Sequence, residues 1–212
     1  MVGYSRNRNA RWLAGLASGL LALTAAGGCA RAPGASDAGH GMDGSIAPQV
    51  RTHDVAVAPR MRDGELKVPA DYRRWPVFLV GIDKPDSGQI RDIYIDALAH
   101  RTAEGDPFPI GTVSVMEIWT AQRTGDGALR RTPDGRLVKD ALASIFVMGK
   151  SAGAGELVSP ALRNGDWVYA SYGSDGTTPG GPPAAACRSC HLAQASKDWV
   201  FRYDEYFASR RR

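Results

Sequence analysis

Val113-Ser114-Val115-Met116-Glu117-Ile118-Trp119 is short, rich in β-branched and aromatic side chains, and entered through Gly111-Thr112. That composition suits the pleated, half-buried surface of a strand. Four segments of the same kind flank it: Trp75 to Ile82 and Ile90 to Ile95 before it, Leu142 to Met148 and Trp167 to Tyr172 after it. The breaks include Lys84-Pro85-Asp86-Ser87-Gly88, Thr124-Gly125-Asp126-Gly127 and Thr132-Pro133-Asp134-Gly135, each with residues that tolerate turn geometry. Helical signals are thinner, at Asp96 to Arg101, Ser159 to Arg163 and Ser196 to Phe207, and none is long enough for a four-helix bundle. The sequence therefore predicts a mainly β domain with a few short helices and no internal repeat.

The chain has 212 residues, 26 basic against 22 acidic side chains, a formal charge of +4 and 43% hydrophobic residues. This excludes a wholly disordered protein, a collagen and a multi-span membrane protein. A pI near 9.1 suggests a nucleic-acid partner, but only charge clustered on a fold neutralises phosphates. Residues 1–28 hold three arginines and no acid, so their removal takes the charge from +4 to +1. Arg210, Arg211 and Arg212 take another three, which leaves −2 for residues 29–209. The folded part is not basic, and no nucleic-acid partner is expected.

Arg6, Arg8 and Arg11 precede an apolar stretch from Trp12 to Leu23, which ends in Thr24-Ala25-Ala26-Gly27-Gly28-Cys29. A basic n-region, an apolar h-region and small residues make a secretory signal over residues 1–28. The stretch is shorter than the ~20 residues that span a bilayer. The cleavage region is like a bacterial lipobox, with Cys29 where the lipid would be attached and Ala26 where Leu is usual. The alternative is ordinary cleavage nearby, with Cys29 removed or left free. Either way the mature protein is expected at the periplasmic face, membrane-attached through Cys29 or soluble. Residues 29–55 read as a flexible Gly/Ala/Ser/Pro-rich tether, residues 56–208 as the folded domain and 209–212 as a basic tail.

Chemistry is concentrated at Ala186-Cys187-Arg188-Ser189-Cys190-His191. Two cysteines two residues apart with His next is the attachment pattern for haem c. The thiols of Cys187 and Cys190 add to the two vinyl groups of the porphyrin, and His191 becomes the proximal ligand of the iron. A zinc site needs more ligands than Cys29, His40, His53 and His100 readily supply. A redox dithiol belongs at the head of a helix in a βαβ unit, and a Cys187–Cys190 disulfide leaves His191 unexplained. The export signal supplies the compartment in which haem c is attached.

The sixth position on the iron separates an electron carrier, with Met or His there, from a ligand-binding haem, with that position open. After His191 there are 21 residues and no Met or His. A protein ligand would come from Met116, Met148 or His100, or, less favoured, from a tether residue. The methionines fall in strand-like segments where core packing also explains them, and His100 is a distal donor, a ligand or a surface residue. Trp75, Trp119, Trp167 and Trp199 read as core or haem-edge packing, Tyr94 and Tyr172 as candidate donors to a bound ligand, and Arg73 and Arg74 as solvent-facing residues or propionate partners.

With these residues in view, the chain resembles the cytochrome P-460 and cytochrome c′-beta family from Leu66 to Phe207. The markers are Val68-Pro69-Ala70-Asp71-Tyr72-Arg73-Arg74-Trp75, Arg91-Asp92-Ile93-Tyr94-Ile95-Asp96 followed by Gly111-Thr112-Val113, Gly165-Asp166-Trp167-Val168-Tyr169, and the haem motif followed by Lys197-Asp198-Trp199-Val200-Phe201. The resemblance implies a mainly antiparallel β-sheet domain, a homodimer, and a haem that is five-coordinate through His191. Its open face would bind nitric oxide, hydroxylamine or related nitrogen oxides. Hydroxylamine-oxidising members cross-link a Lys to the porphyrin between the two strands that here carry Tyr94-Ile95-Asp96 and Gly111-Thr112-Val113. No Lys occurs from Pro85 to Val138, and Thr102 or Ala103 stands at that point. Phe78 and Phe108 are similar in placement to the aromatic cap of the c′-beta branch.

Three readings follow. The first is an exported mono-haem c-type cytochrome that binds nitric oxide in a distal pocket shaped by Phe78, Phe108 and His100, with an unidentified electron-transfer partner. The second is a six-coordinate electron carrier, and the third a hydroxylamine oxidase.

Overall fold

The computed structural model describes residues 60–212. The expected export signal and tether, the candidate lipid anchor Cys29, and His40 and His53 lie outside the described residues. Five strands form one antiparallel sheet: β1 Val77–Lys84, β2 Gln89–Ile95, β3 Val113–Ala121, β4 Lys139–Lys150 and β5 Trp167–Gly173. They lie in the order β1-β2-β3-β4-β5, so each strand pairs with its neighbour in sequence. All five expected strands are present, and the domain is mainly β. Among the described residues no helix is long and apolar enough to cross a membrane.

The β1–β2 connection shows why the turn residues are where they are. Pro85 to Ser87 make a single 3-10 turn, closed by Gly88 at φ 61, whose N–H donates to the Pro85 carbonyl. A side chain at Gly88 would be strained by its left-handed backbone and would press on the Arg123 guanidinium at 3.2 Å.

Alternation along the strands divides the core in two. On one face Phe78, Ile93, Ile95, Met148, Trp167 and Tyr169 meet Ala99, Phe108, Val200 and the aromatic residues Tyr203, Tyr206 and Phe207. On the other, Val115, Ile145, Val147, Val168, Ala170 and Tyr172 meet Leu66, Tyr72 and Ala154. Glu117 is fully buried on that second face. It is satisfied by the Tyr72 hydroxyl at 2.6 Å, Arg73 Nε at 2.7 Å and Trp119 Nε1 at 3.1 Å.

Helices differ more from expectation. Asp96 caps α1 (Ala97–His100) within the expected segment, and Pro160–Leu162 is a 3-10 turn. The segment Ser196 to Phe207 is not one helix. A 3-10 stretch ends at Lys197, Asp198, Trp199 and Arg202 all take positive φ, and α3 runs from Tyr203 to Arg210. The segment carrying Cys187, Cys190 and His191 itself forms α2, Ala184–His191, for which the sequence carries no helical periodicity.

A short repeat is also present that the sequence reading does not find. Arg123-Thr124-Gly125-Asp126-Gly127-Ala128-Leu129 and Arg131-Thr132-Pro133-Asp134-Gly135-Arg136-Leu137 fold alike between β3 and β4. In each the arginine donates to the glycine carbonyl at 2.7 Å, and the threonine hydroxyl to a carbonyl at 3.1 Å. The second turn is also tied to β1, where Asp83 accepts the Leu137 N–H and Arg136 Nε, each at 3.1 Å.

Asp96 couples α1 to the sheet. Its carboxylate accepts the Ala99 N–H at 2.7 Å and the Val113 N–H at 2.5 Å. Asp96→Ala removes a helix cap and a link to β3 together. The expected cost is about 2 kcal/mol, read in a thermal melt as a fall of about 6 °C.

Candidate functional site

A cavity of about 550 Å³ lies against the first face of the sheet. Its floor is made of alternate strand residues, among them Phe78 and Ile82 of β1, Arg91 and Ile93 of β2, Met116 of β3, Phe146 and Met148 of β4, and Trp167 and Tyr169 of β5. Phe108, the α2 residues Cys187, Cys190 and His191, and the strip Val200-Phe201-Arg202 complete the lining. The volume is in the range of small-molecule and cofactor sites.

Helical geometry converts the motif into a site. Positions 187, 190 and 191 are i, i+3 and i+4 on α2 and so share a face, and all three side chains line the cavity. The two thiols are not bonded to each other. Burial pushes the Cys187 thiol up, and Asp63 adds to this, the opposite of the activation a redox dithiol needs. Among the described residues no group of three His, Cys, Asp or Glu side chains is placed to hold a metal ion.

His191 is oriented by one short bond. Its Nδ1 lies 2.6 Å from the Trp199 carbonyl. A carbonyl only accepts, so Nδ1 carries the proton and Nε2 is left as a lone-pair donor for a metal. The ring is flanked by Tyr169 at 5.1 Å and Phe201 at 4.9 Å between centroids. Burial lowers its pKa, with the Trp199 bond acting in the other direction, so the neutral form that can ligate is favoured.

The motif's first variable residue holds α2 in place. Arg188 is 1% exposed. Its Nε and Nη2 meet Asp63 at 2.8 and 2.9 Å, and Nη2 also donates to the Trp167 carbonyl at 2.9 Å. Asp63 in turn accepts the Tyr169 N–H at 3.0 Å, which ties helix, β5 and the chain before β1 together.

The strip after α2 is held as firmly. Asp198 accepts from Lys150 Nζ at 2.8 Å and from the Phe108 N–H at 2.8 Å, and its carbonyl accepts Trp167 Nε1 at 2.8 Å. Trp199 packs so closely on Gly165 that a Cβ there would come within 2.7 Å of the indole ring.

The residues fit a haem on one further observation. Arg91 Nε and Tyr169 Oη are buried without a hydrogen-bond partner, and both side chains line the cavity. Buried polar groups are ordinarily paired, so the two donors call for acceptors on whatever the cavity holds. Burial, with Arg202 close by, lowers the Arg91 pKa, and Lys84 and Arg202 line the same cavity. An apolar cleft with two thiols, a free imidazole nitrogen and cationic donors matches an apolar macrocycle bearing carboxylates.

Of the sequence candidates, Cys187, Cys190, His191, Phe78, Phe108, Met116 and Met148 converge on the cavity. His100 is not among the lining residues; its Nδ1 is 3.0 Å from the Tyr206 hydroxyl. Tyr172 donates to the Leu66 carbonyl at 2.7 Å, and Tyr94 packs edge-on to Tyr72. Arg73 pairs with Glu117 and Arg74 is exposed. Trp167 lines the cavity, whereas Trp75 and Trp119 pack elsewhere. Sequence reasoning missed Arg91, Tyr169, Arg188, Lys150 and Asp198. Arg188 carried a signal in its place inside the motif, and Arg91, Tyr169 and Asp198 in their places inside the family markers; Lys150 carried none.

The family model described as Cytochrome P-460 matches residues 69–202. The match begins ahead of β1 and ends at the last residue of the cavity-lining strip. No curated protein matches the chain.

Arg188→Met removes the charge-assisted bonds to Asp63, whose side chain is 26% exposed, and the bond to the Trp167 carbonyl, at a cost of about 2–3 kcal/mol. Chemical denaturation should show that loss, with Arg188→Met/Asp63→Leu recovering part of it. A single variant as stable as wild type would contradict the anchoring role.

Proposed function

The chain belongs to the cytochrome P-460 family, and on that premise we propose an exported mono-haem c-type cytochrome whose five-coordinate haem binds nitric oxide or related nitrogen oxides, with redox turnover of such species as a secondary capacity. The family makes it a haem-binding cytochrome; the attachment, the ligand and the coordination number are our reading. The observation that carries it is the convergence of Cys187, Cys190 and His191 on the cavity that Phe78 and Phe108 also line.

Each residue has a part. Cys187 and Cys190 are the thioether anchors and His191 Nε2 the proximal ligand. Bound there, haem supplies an iron with one face available to a small diatomic. Phe78 stacks on Tyr206 at 4.2 Å, and Phe108 meets Trp167 edge-on at 6.3 Å. Both rings are therefore fixed, and they favour a neutral diatomic over water or anions. Arg91 and Tyr169 supply the donors for acceptors on the occupant.

Met116 and Met148 also line the cavity, which is the observation favouring a six-coordinate electron carrier as the second reading. A hydroxylamine oxidase is less supported. No Lys lies between β2 and β3, and the cavity's lysine is Lys84, at the end of β1. The export signal and Cys29 support a periplasmic, lipid-anchored location, and the resemblance a homodimer served by a redox partner.

Produced with haem-maturation machinery, the mature protein is expected to gain the mass of one haem, and Cys187→Ser/Cys190→Ser to lose it. The reduced spectrum should be high-spin and shift on adding nitric oxide or CO, and Met116→Leu and Met148→Leu should leave it unchanged. A low-spin spectrum indifferent to both gases, restored to gas binding by either methionine change, would establish the second reading instead.

A further inference from the structure

We infer that the Lys150–Asp198 ion pair is a positioning strut that couples Phe108 to His191, so that access past the aromatic wall and the strength of the iron's proximal bond are set together. The inference rests on the haem reading of the cavity.

Neither strut residue lines the cavity, and their side chains are only 11% and 7% exposed. Lys150 Nζ donates to both Asp198 carboxylate oxygens, at 2.9 and 2.8 Å, and to the Phe108 carbonyl at 2.8 Å. The Phe108 N–H donates to Asp198 Oδ2 at 2.8 Å. Both backbone polar groups of Phe108 therefore end on the pair. These charge-assisted bonds fix the backbone that carries the ring, and packing against Trp167, Tyr203 and Phe207 then sets where the ring lies.

The same aspartate controls the other end. Asp198 and Trp199 sit at φ 50 and φ 56, conformations that cost free energy for residues with a Cβ and persist only where surroundings impose them. Backbone bonds from the Trp199 N–H to the Gln194 carbonyl and from the Val200 N–H to the Lys197 carbonyl close the turn locally, while the Lys150 pair, the Phe108 N–H and the Trp167 Nε1 bond to the Asp198 carbonyl tie it to the rest of the domain. One residue further on, the Trp199 carbonyl holds His191 Nδ1 at 2.6 Å. A turn released from the pair relaxes toward ordinary backbone, and that carbonyl moves away. The hydrogen bond on the far nitrogen of a ligating imidazole raises its donor strength, so lengthening it weakens the bond at Nε2. Cutting one ion pair thus has two consequences, at groups that Lys150 itself does not both touch.

The test uses the haem-loaded mature protein as wild type, Lys150→Met, Lys150→Arg, Asp198→Asn and Phe108→Ala. The iron–histidine stretch is read by resonance Raman in the ferrous state, and CO association by flash photolysis. Lys150→Met is expected to lower the stretch and to speed CO association about fivefold or more, and Lys150→Arg to restore most of both. Phe108→Ala should speed association and leave the stretch where it was. Asp198→Asn, which keeps the side chain's size and removes the charge that binds Lys150, should move both readouts in the same direction as Lys150→Met and decides the matter if that variant does not accumulate. Loaded variants that are less stable yet keep the wild-type stretch and association rate overturn the coupling alone. A wild type without bound haem overturns the haem reading and the coupling with it.

Discussion

The hydrogen bond between His191 Nδ1 and the Trp199 carbonyl, 2.6 Å long, is the constraint around which the site is arranged. It joins the end of α2 to a strip of chain only eight residues later, and it decides which imidazole nitrogen is free. For that carbonyl to point back at His191, the chain must reverse soon after the helix, and it does so at the end of the 3-10 stretch Leu192–Lys197, through positive φ at Asp198, Trp199 and Arg202. The reversal then brings Val200, Phe201 and Arg202 to the cavity. Ligand orientation and cavity wall are consequences of one turn.

Such a turn has to be held from outside, and buried charge is how the protein does it. Arg188 with Asp63 fixes α2 against β5, and Lys150 with Asp198 fixes the reversal against β4 and the Phe108 loop. Buried ion pairs contribute little net stability compared with apolar packing, but removing one partner is costly. They are suited to specifying one arrangement and penalising others. The five-stranded meander supplies what these pairs brace against, a stiff surface with alternate side chains directed to the cavity.

The strands and the motif were legible in the sequence for different reasons. Segments such as Val113 to Trp119 combine β-branched and aromatic residues with Gly, Pro and Asp at their ends, so local preference and tertiary structure agree. The motif was legible because its spacing is the one that attachment of haem c would require. The break in Ser196 to Phe207 was hidden because the segment has no Gly or Pro; tertiary bonds, not propensity, impose its positive φ. Arg91, in Gln89-Ile90-Arg91-Asp92, has the look of a solvent-facing strand residue, and only the cavity shows where it points. Tyr169 was passed over for Tyr94 and Tyr172, since three tyrosines on strands cannot be ranked without register. His100 has a partner in Tyr206, a pairing across more than a hundred residues that no local pattern announces.

The central claim is that this cavity holds an iron by a single imidazole and leaves the opposite position open. X-ray absorption at the iron edge of the ferrous, haem-loaded protein measures that shell directly. The account predicts four porphyrin nitrogens and one imidazole nitrogen, with no sulfur neighbour. A sixth ligand, above all a thioether sulfur from Met116 or Met148, would contradict it.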